Sequence, residues 1–157
     1  MAVLSEEQTM LRDMAREWTT NESPVTAFRK FRDLAPACGY DANAFKTMAE
    51  MGWAGIVIPE KFGGSDFGWL SLGLVLEETA KTLTASPLAS SALAASALVL
   101  GGSDGAKAAW LPKLASGEVV GTLAIDEGPR HNPTAIATTA TKAGDGWTLS
   151  GTKAFVH

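Results

Sequence analysis

Apolar residues recur at helical spacing over the first two thirds of the chain. Ser5 and Gln8 form a capping-box pattern, in which two backbone donors at a helix start are satisfied reciprocally. The face that follows carries Leu11, Met14, Ala15 and Trp18 at intervals of three or four residues. Pro24 closes this first predicted helix.

Two further segments carry helix caps or stops. Asp41 is predicted to cap a helix that Gly52 ends in a left-handed conformation. Ser65 or Asp66 is predicted to cap the next helix. The buried faces are predicted to carry Phe45, Met48 and Ala49 in the former, and Trp69, Leu72, Val75 and Leu76 in the latter.

Two more helices complete the helical part. Residues 86–100 are rich in Ala and Leu and apolar nearly all round, which is typical of an interior helix. Ser103 or Asp104 starts the last helix and Gly117 ends it. We expect the large indoles to be mostly buried, namely Trp18, Trp53, Trp69 and Trp110.

The pattern changes at Val119, after which the 3.6-residue period is lost. Strands are predicted over 119–125 and 136–142, and a turn over 143–146 leads into a third strand from Trp147. Helices followed by strands favour an α+β fold. We expect an N-terminal all-α helical bundle, residues 1–118, followed by the first strands of an antiparallel β-domain, residues 119–157.

Composition and charge exclude several function classes. With 46% apolar and 19% charged residues, the 157-residue chain is typical of a globular protein. The net charge of −4 and the lack of a basic stripe argue against nucleic-acid binding. Cys38, the single cysteine, cannot form an internal disulfide and is expected to be buried. The longest apolar stretch, 87–100, is too short to span a membrane, and no signal peptide precedes it, so a cytoplasmic location is expected.

Residue types alone assign no catalytic residue and no metal site. The neighbours Asp126 and Glu127 would point to opposite faces of a strand, so we interpret them as solvated carboxylates at a strand end. His131 stands in a loop segment without a companion His or Cys, which favours a surface position over a metal ligand.

Several strings, taken in order, resemble the acyl-CoA dehydrogenase family. They are LSEEQ at 4–8, MGWAGI at 51–56, PEKFGG at 59–64, LEE at 76–78, GSDGAK at 102–107, WLPKLASGE at 110–118 and GDGWTLSGTK at 144–153. Each string is short, but their joint order and spacing are specific and cover almost the whole chain.

The resemblance implies an FAD-dependent oxidoreductase of fatty acid metabolism that acts on the CH–CH bond of acyl-CoA thioesters. It implies oligomers with other acyl-CoA dehydrogenase subunits, homomeric or heteromeric. In this family the catalytic base comes from a C-terminal helical domain that this chain does not contain. We therefore expect this chain alone to be inactive.

The resemblance also implies positions for the ligands. The flavin-contacting positions are Leu123, Ile125, Asp126, Phe155 and His157, and the acyl-tail positions are Ala89, Leu93 and Ala97. Asp126 stands where the family has a Thr that contacts the flavin, and residues 128–133 lack the family's Gly-Ser. An acidic group there has no donor at neutral pH, so we expect weak or absent FAD binding by this chain.

Three functional hypotheses follow. One is a flavoenzyme subunit with an altered but working flavin site. Another is a flavin-poor structural partner subunit of a heteromeric acyl-CoA dehydrogenase. The last is a helical interaction module unrelated to flavin.

Overall fold

The computed structural model describes residues 3–156 and consists of a helical unit, which ends at Gly121, and a hairpin unit, which begins at Thr122. The α-helices within this range are α1 Glu6–Asn21, α2 Val25–Leu34, α3 Ala42–Glu50, α4 Gly68–Lys81, α5 Leu88–Gly101 and α6 Asp104–Ala115. Two short 3₁₀ turns, Trp53–Gly55 and Glu60–Phe62, lie between α3 and α4. The strands β1 Thr139–Ala143 and β2 Gly146–Ser150 pair antiparallel. The predicted order of helices followed by strands is confirmed.

Local capping chemistry starts α1 and α3 where the sequence predicted. The Ser5 hydroxyl accepts from the Gln8 amide at 3.2 Å, and the Gln8 side chain accepts from the Ser5 amide at 3.1 Å. The Asp41 carboxylate accepts from the amides of Asn43 and Ala44 at 3.0 and 3.1 Å. Each bond satisfies a donor that the first helical turn leaves without a partner, which fixes the helix start.

The core of the helical unit is built around two indoles. Trp53 lies in the turn after α3 and is 1% exposed, and its ring meets that of Trp18 edge to face with 5.4 Å between centroids. Edge-to-face packing of this kind is favoured by the charge distribution of aromatic rings. Surrounding residues of the same cluster include Leu11, Ala15, Phe45, Met48, Leu72, Val75, Leu88 and Ala92. This cluster joins α1, α3, α4 and α5.

A buried carboxylate links α1 to α4. Glu78 is 3% exposed, and it accepts from the Arg16 guanidinium at 3.0 Å and from Lys81 Nζ at 2.9 Å. Burial raises the pKa of Glu78, but the hydrogen bonds and charges of these two cations outweigh burial and lower it on balance. The carboxylate is therefore charged and paired, as a buried acid requires.

The predicted burial is wrong for two of the four indoles. Trp69 is 53% exposed and Trp110 is 50% exposed. The buried face of α4 is centred on Ser71, Val75 and Glu78, and a helical turn of 3.6 residues places Trp69 on the far side. Trp110 lies beside the buried face of α6, where Lys113 Nζ stands 5.7 Å from its ring centroid.

Two further burial predictions are corrected. Helix α5 is interior on one face only, because Leu88, Ser91, Ala92 and Ala95 are buried whereas its opposite face is open. Cys38 is exposed in the segment after α2, where its thiol lies 3.3 Å from the Tyr40 carbonyl oxygen. Residue type and spacing did not show which face of α5 packs against other helices, nor that Cys38 would be exposed.

The strand predicted over 119–125 does not form. The Val119 amide donates to the Lys113 carbonyl at 3.3 Å and the Gly121 amide to the Ser91 hydroxyl at 3.2 Å, so residues 119–121 belong to the helical unit. In the hairpin unit, β1 begins at Thr139 rather than at 136. Gly144 turns the chain between β1 and β2 with a φ of 59°, which favours glycine.

No helix within residues 3–156 combines the length and the apolar character that crossing a membrane requires. Over the same range, His, Cys, Asp and Glu side chains form no group of three that could hold a metal ion.

Candidate functional site

Glu127 organises the loop of the hairpin unit. Its carboxylate accepts from Lys153 Nζ at 2.7 Å, from the Ala137 and Thr138 amides at 2.5 and 3.1 Å, and from the Thr138 hydroxyl. The side chain is 11% exposed, so the expectation of a solvated carboxylate at a strand end is wrong. The chain folds back between 127 and 138, and this brings donors from two distant segments onto one acid.

These donors stabilise the charged form of Glu127. The hydrogen bond from Lys153, followed by those from Thr138 and the Ala137 amide, lowers the pKa of Glu127 from 4.5 to about 2. The folded pKa lies below the ordinary value, so the contribution of this group to stability is complete above about pH 4.5 and is lost as pH falls toward 2.

A titration checks this assignment. We expect the Ala137 and Thr138 amide resonances to shift with a midpoint near pH 2, because both amides donate to the carboxylate. Glu127→Gln should abolish that titration, since the amide side chain does not ionise. A midpoint near 4.5 in the wild-type protein would contradict the contacts described for Glu127.

Asp126 is also paired with donors of its own loop. One carboxylate oxygen accepts from the Asn132 amide at 3.0 Å, and the other lies 3.0 Å from Nδ1 of His131. The side chain is 18% exposed, and its pKa is lowered by the hydrogen bond with His131 and then by that from Asn132. His131 is a surface residue, 71% exposed, as predicted, but the sequence did not reveal its pairing with Asp126.

The predicted flavin residues lie on two neighbouring segments. Ile125 is 44% exposed and Phe155 is 68% exposed, and the Ala154 amide donates to the Asp126 carbonyl at 2.7 Å. Leu123 is half-buried two residues before Ile125. His157, the remaining predicted position, lies outside the described residues. Lys153 and Thr138 were not predicted, since their contacts with Glu127 join residues 26 and 11 positions apart.

The predicted acyl-tail residues share one open face of the helical unit. Ala89, Leu93 and Ala97 follow at four-residue spacing on α5, and all three are exposed. Ala89 also lines a groove of about 360 Å³ between the end of α4 and the start of α5. Apolar side chains of Leu76, Ala80, Leu83 and Leu88 line much of that groove. Leu93 and Ala97 lie outside the groove lining.

Comparison with known proteins decides the family. Residues 5–118 match the model of the acyl-CoA dehydrogenase N-terminal domain. The chain belongs to the acyl-CoA dehydrogenase family. It is 35% identical to (2S)-methylsuccinyl-CoA dehydrogenase of Cereibacter sphaeroides over 98% of this chain and 28% of that protein. It is 33% identical to glutaryl-CoA dehydrogenase of Desulfococcus multivorans over 98% of this chain and 40% of that protein.

Solved structures agree with this assignment. A variant of the Tcur3481-Tcur3483 steroid acyl-CoA dehydrogenase superposes with a TM-score of 0.86 at 31% identity, over 96% of this chain and 41% of that one. A glutaryl-CoA dehydrogenase with bound glutaryl-CoA superposes with a TM-score of 0.80 at 30% identity, over 99% of this chain and 40% of that one. The acyl-CoA dehydrogenase chain described here therefore spans well under half the length of these relatives.

The side chains of the hairpin unit suit one wall of a flavin site. A flat ring system binds on apolar and aromatic surfaces with a few polar groups nearby. Ile125 and Phe155 offer such surface, and Lys153 donates to the Ile125 carbonyl beside it. Asp126 departs from the family's Thr, but both of its oxygens already form hydrogen bonds with residues of its own loop.

Proposed function

We propose that this chain is the N-terminal part of an FAD-dependent enzyme that oxidises the Cα–Cβ bond of an acyl-CoA thioester. Family membership supports the reaction class. The observation that carries the proposal is the pairing of Asp126 with His131 and the Asn132 amide. This pairing lessens the electrostatic objection that the family's missing Thr raises, because hydrogen bonds within its own loop stabilise the Asp126 carboxylate.

The residues of this chain would bind and orient FAD and the acyl-CoA substrate. FAD, when bound, supplies the acceptor for the β-hydride. Leu123, Ile125 and Phe155 would contribute apolar surface to the flavin wall. No residue of this chain is assigned as the base that removes the α-proton, and we expect the chain to be inactive without the remainder of a family member's length.

The open face of α5 would contribute to the acyl-tail site. Its small residues Ala89 and Ala97 leave space beside Leu93, which favours a branched or polycyclic acyl group. The relatives are named for methylsuccinyl-CoA, glutaryl-CoA and a steroid, so the family includes short and polycyclic acyl groups. We propose assembly with further acyl-CoA dehydrogenase subunits, of the same or another kind, and a cytoplasmic location.

A second candidate function is a flavin-poor structural partner in a heteromeric acyl-CoA dehydrogenase. The specific observation in its favour is that the Asn132 amide and His131 Nδ1 are already paired with Asp126. A donor that is already hydrogen-bonded to a residue of its own loop is not free to bond to a ligand. This contact therefore bears on the two candidates in different ways: it stabilises the Asp126 charge, and it occupies two donors. Measurement of bound flavin separates the candidates.

Flavin occupancy of the full-length protein, with any partner subunit present, tests both candidates. Stoichiometric flavin absorbance per protomer after gel filtration would support the flavoenzyme, and a colourless protein would support the structural partner.

Replacing Asp126 with Thr should raise FAD affinity about fivefold, the effect of about 1 kcal/mol, because it removes a charge and frees the two donors. Fluorescence titration with FAD measures the affinity of each variant. Asp145→Asn removes a charge from the hairpin turn of the same unit and should leave FAD affinity unchanged. Equal effects of the two substitutions would contradict a specific role for Asp126.

A further inference from the structure

Three hydrogen bonds join segment 125–127 to segment 153–154 in the hairpin unit. Lys153 Nζ donates to the Ile125 carbonyl at 3.1 Å and to the Glu127 carboxylate at 2.7 Å. The Ala154 amide donates to the Asp126 carbonyl at 2.7 Å. The ammonium thus bonds to both ends of one short segment, and the backbone bond lies between these two contacts.

The Lys153–Glu127 pair is more constrained than an ordinary surface ion pair. Its side chains are 26% and 11% exposed, so water screens it less than it screens the exposed pairs of the helical unit. Glu127 is further held by the Thr138 hydroxyl and by the Ala137 and Thr138 amides. Because both oxygens of this carboxylate accept further hydrogen bonds, Lys153 meets a partner that is held in place.

The contacts of Lys153 and Ala154 with segment 125–127 are called the clamp below. Phe155 directly follows the clamp and has an unusual backbone conformation. Its φ is 51°, in the left-handed region that a bulky residue with a Cβ occupies at a cost of about 1–3 kcal/mol. Its ring is nevertheless 68% exposed, so burial of the ring does not compensate that cost. The surrounding contacts must hold the backbone there, and the nearest ones are those of Lys153 and Ala154.

We propose that Lys153 and Glu127 are positioning residues that hold the strained backbone of Phe155 so that its ring faces outward as a fixed aromatic platform for the isoalloxazine ring of FAD. This inference rests on the proposed function, since it names the ring that the platform receives. A preformed platform binds a flat ligand better than a mobile ring, because the ordering cost has already been met in the free protein.

A double-mutant cycle on FAD affinity in the full-length protein, with any partner subunit present, tests the positioning role. Lys153→Met should weaken FAD binding about tenfold, whereas Lys153→Arg, which keeps a donor and the charge, should restore most of the affinity. In the Phe155→Leu background, Lys153→Met should cause little further loss, because the clamp acts through the aromatic ring. Full additivity of the two changes, or no rescue by Arg, would overturn the proposal.

Amide hydrogen exchange separates failure of this inference from failure of the proposed function. Exchange at Ala154 should accelerate at least tenfold in Lys153→Met and Glu127→Gln but not in Phe155→Leu. If wild-type protein binds no FAD and exchange still accelerates, the flavin function is overturned, whereas the hold of Lys153 and Glu127 on the backbone at 153–154 is supported. If all variants bind FAD equally, the flavin function stands and the positioning role is overturned.

Discussion

Replacing Trp53 with Ala should lower the free energy of unfolding of the helical unit by about 3–5 kcal/mol. Trp53 is 1% exposed and packs edge to face on Trp18 at 5.4 Å, so the truncation leaves a large cavity at the centre of the core. Among the described residues, its indole nitrogen has no hydrogen-bond partner. The loss should therefore come from packing alone, and Trp53→Phe should cost much less than Trp53→Ala.

Trp69 provides the matched control, since it is the same residue type on an exposed helix face. Trp69→Ala should cost less than about 1 kcal/mol, because half of the side chain already lies in water. Urea unfolding followed by circular dichroism measures the free energy of unfolding of both variants. The comparison requires that the slope of this free energy against urea concentration is the same in both. Similar losses at the two positions would mean that the assigned helix faces are incorrect.

Features that depend on a few consecutive residues could be predicted from the sequence. The Ser103 hydroxyl accepts from the Ala106 amide at 3.2 Å, as its cap position predicted, and Gly117 ends α6 with a φ of 71°. The caps at Ser5 and Asp41 belong to the same class. Such contacts span two to four residues, so the identities of a few consecutive residues are enough to predict them.

Burial of a helix face could not be predicted in the same way. The spacing of Trp69, Leu72 and Val75 fits one apolar stripe, but the partner of α4 is α1, whose Arg16 pairs with Glu78. This contact joins residues 62 positions apart, and it lies on the buried face of α4. The same limit explains the open face of α5, because an apolar helix is interior only where neighbours cover it.

The acidic pair of the candidate site shows the largest gap between pattern and structure. Strand alternation predicted that Asp126 and Glu127 would point to opposite faces, but the strand predicted over 119–125 does not form and both acids lie in a loop. The acids instead collect donors from Asn132, Thr138 and Lys153. Loop closure of this kind depends on contacts across many residues, which periodicity does not record.

Gly64 lies where two carbonyl groups leave no room for a side chain. A Cβ built on Gly64 would stand 1.9 Å from the Ile58 carbonyl oxygen and 2.6 Å from that of Gly55. Both carbonyls are fixed, because they accept from the amides of Asp66 and Ser65 at 3.1 Å each. Relief of the clash therefore requires the turn at 55–66 to move, and that turn carries the buried Ile56 and Ile58.

We expect Gly64→Ala to destabilise the helical unit by about 3 kcal/mol, at the upper end for overpacking, because backbone rather than a flexible side chain must move. Gly73 is the matched control, since it lies in α4 and a Cβ there would have no atom within 4 Å beyond its chain neighbours and its own helix backbone. Gly73→Ala should raise stability by about 0.5–1 kcal/mol through helix propensity. The midpoint temperature of thermal unfolding should therefore fall in Gly64→Ala and rise in Gly73→Ala, relative to the wild type. A stable Gly64→Ala protein would show that the two carbonyls do not approach residue 64 as closely as described.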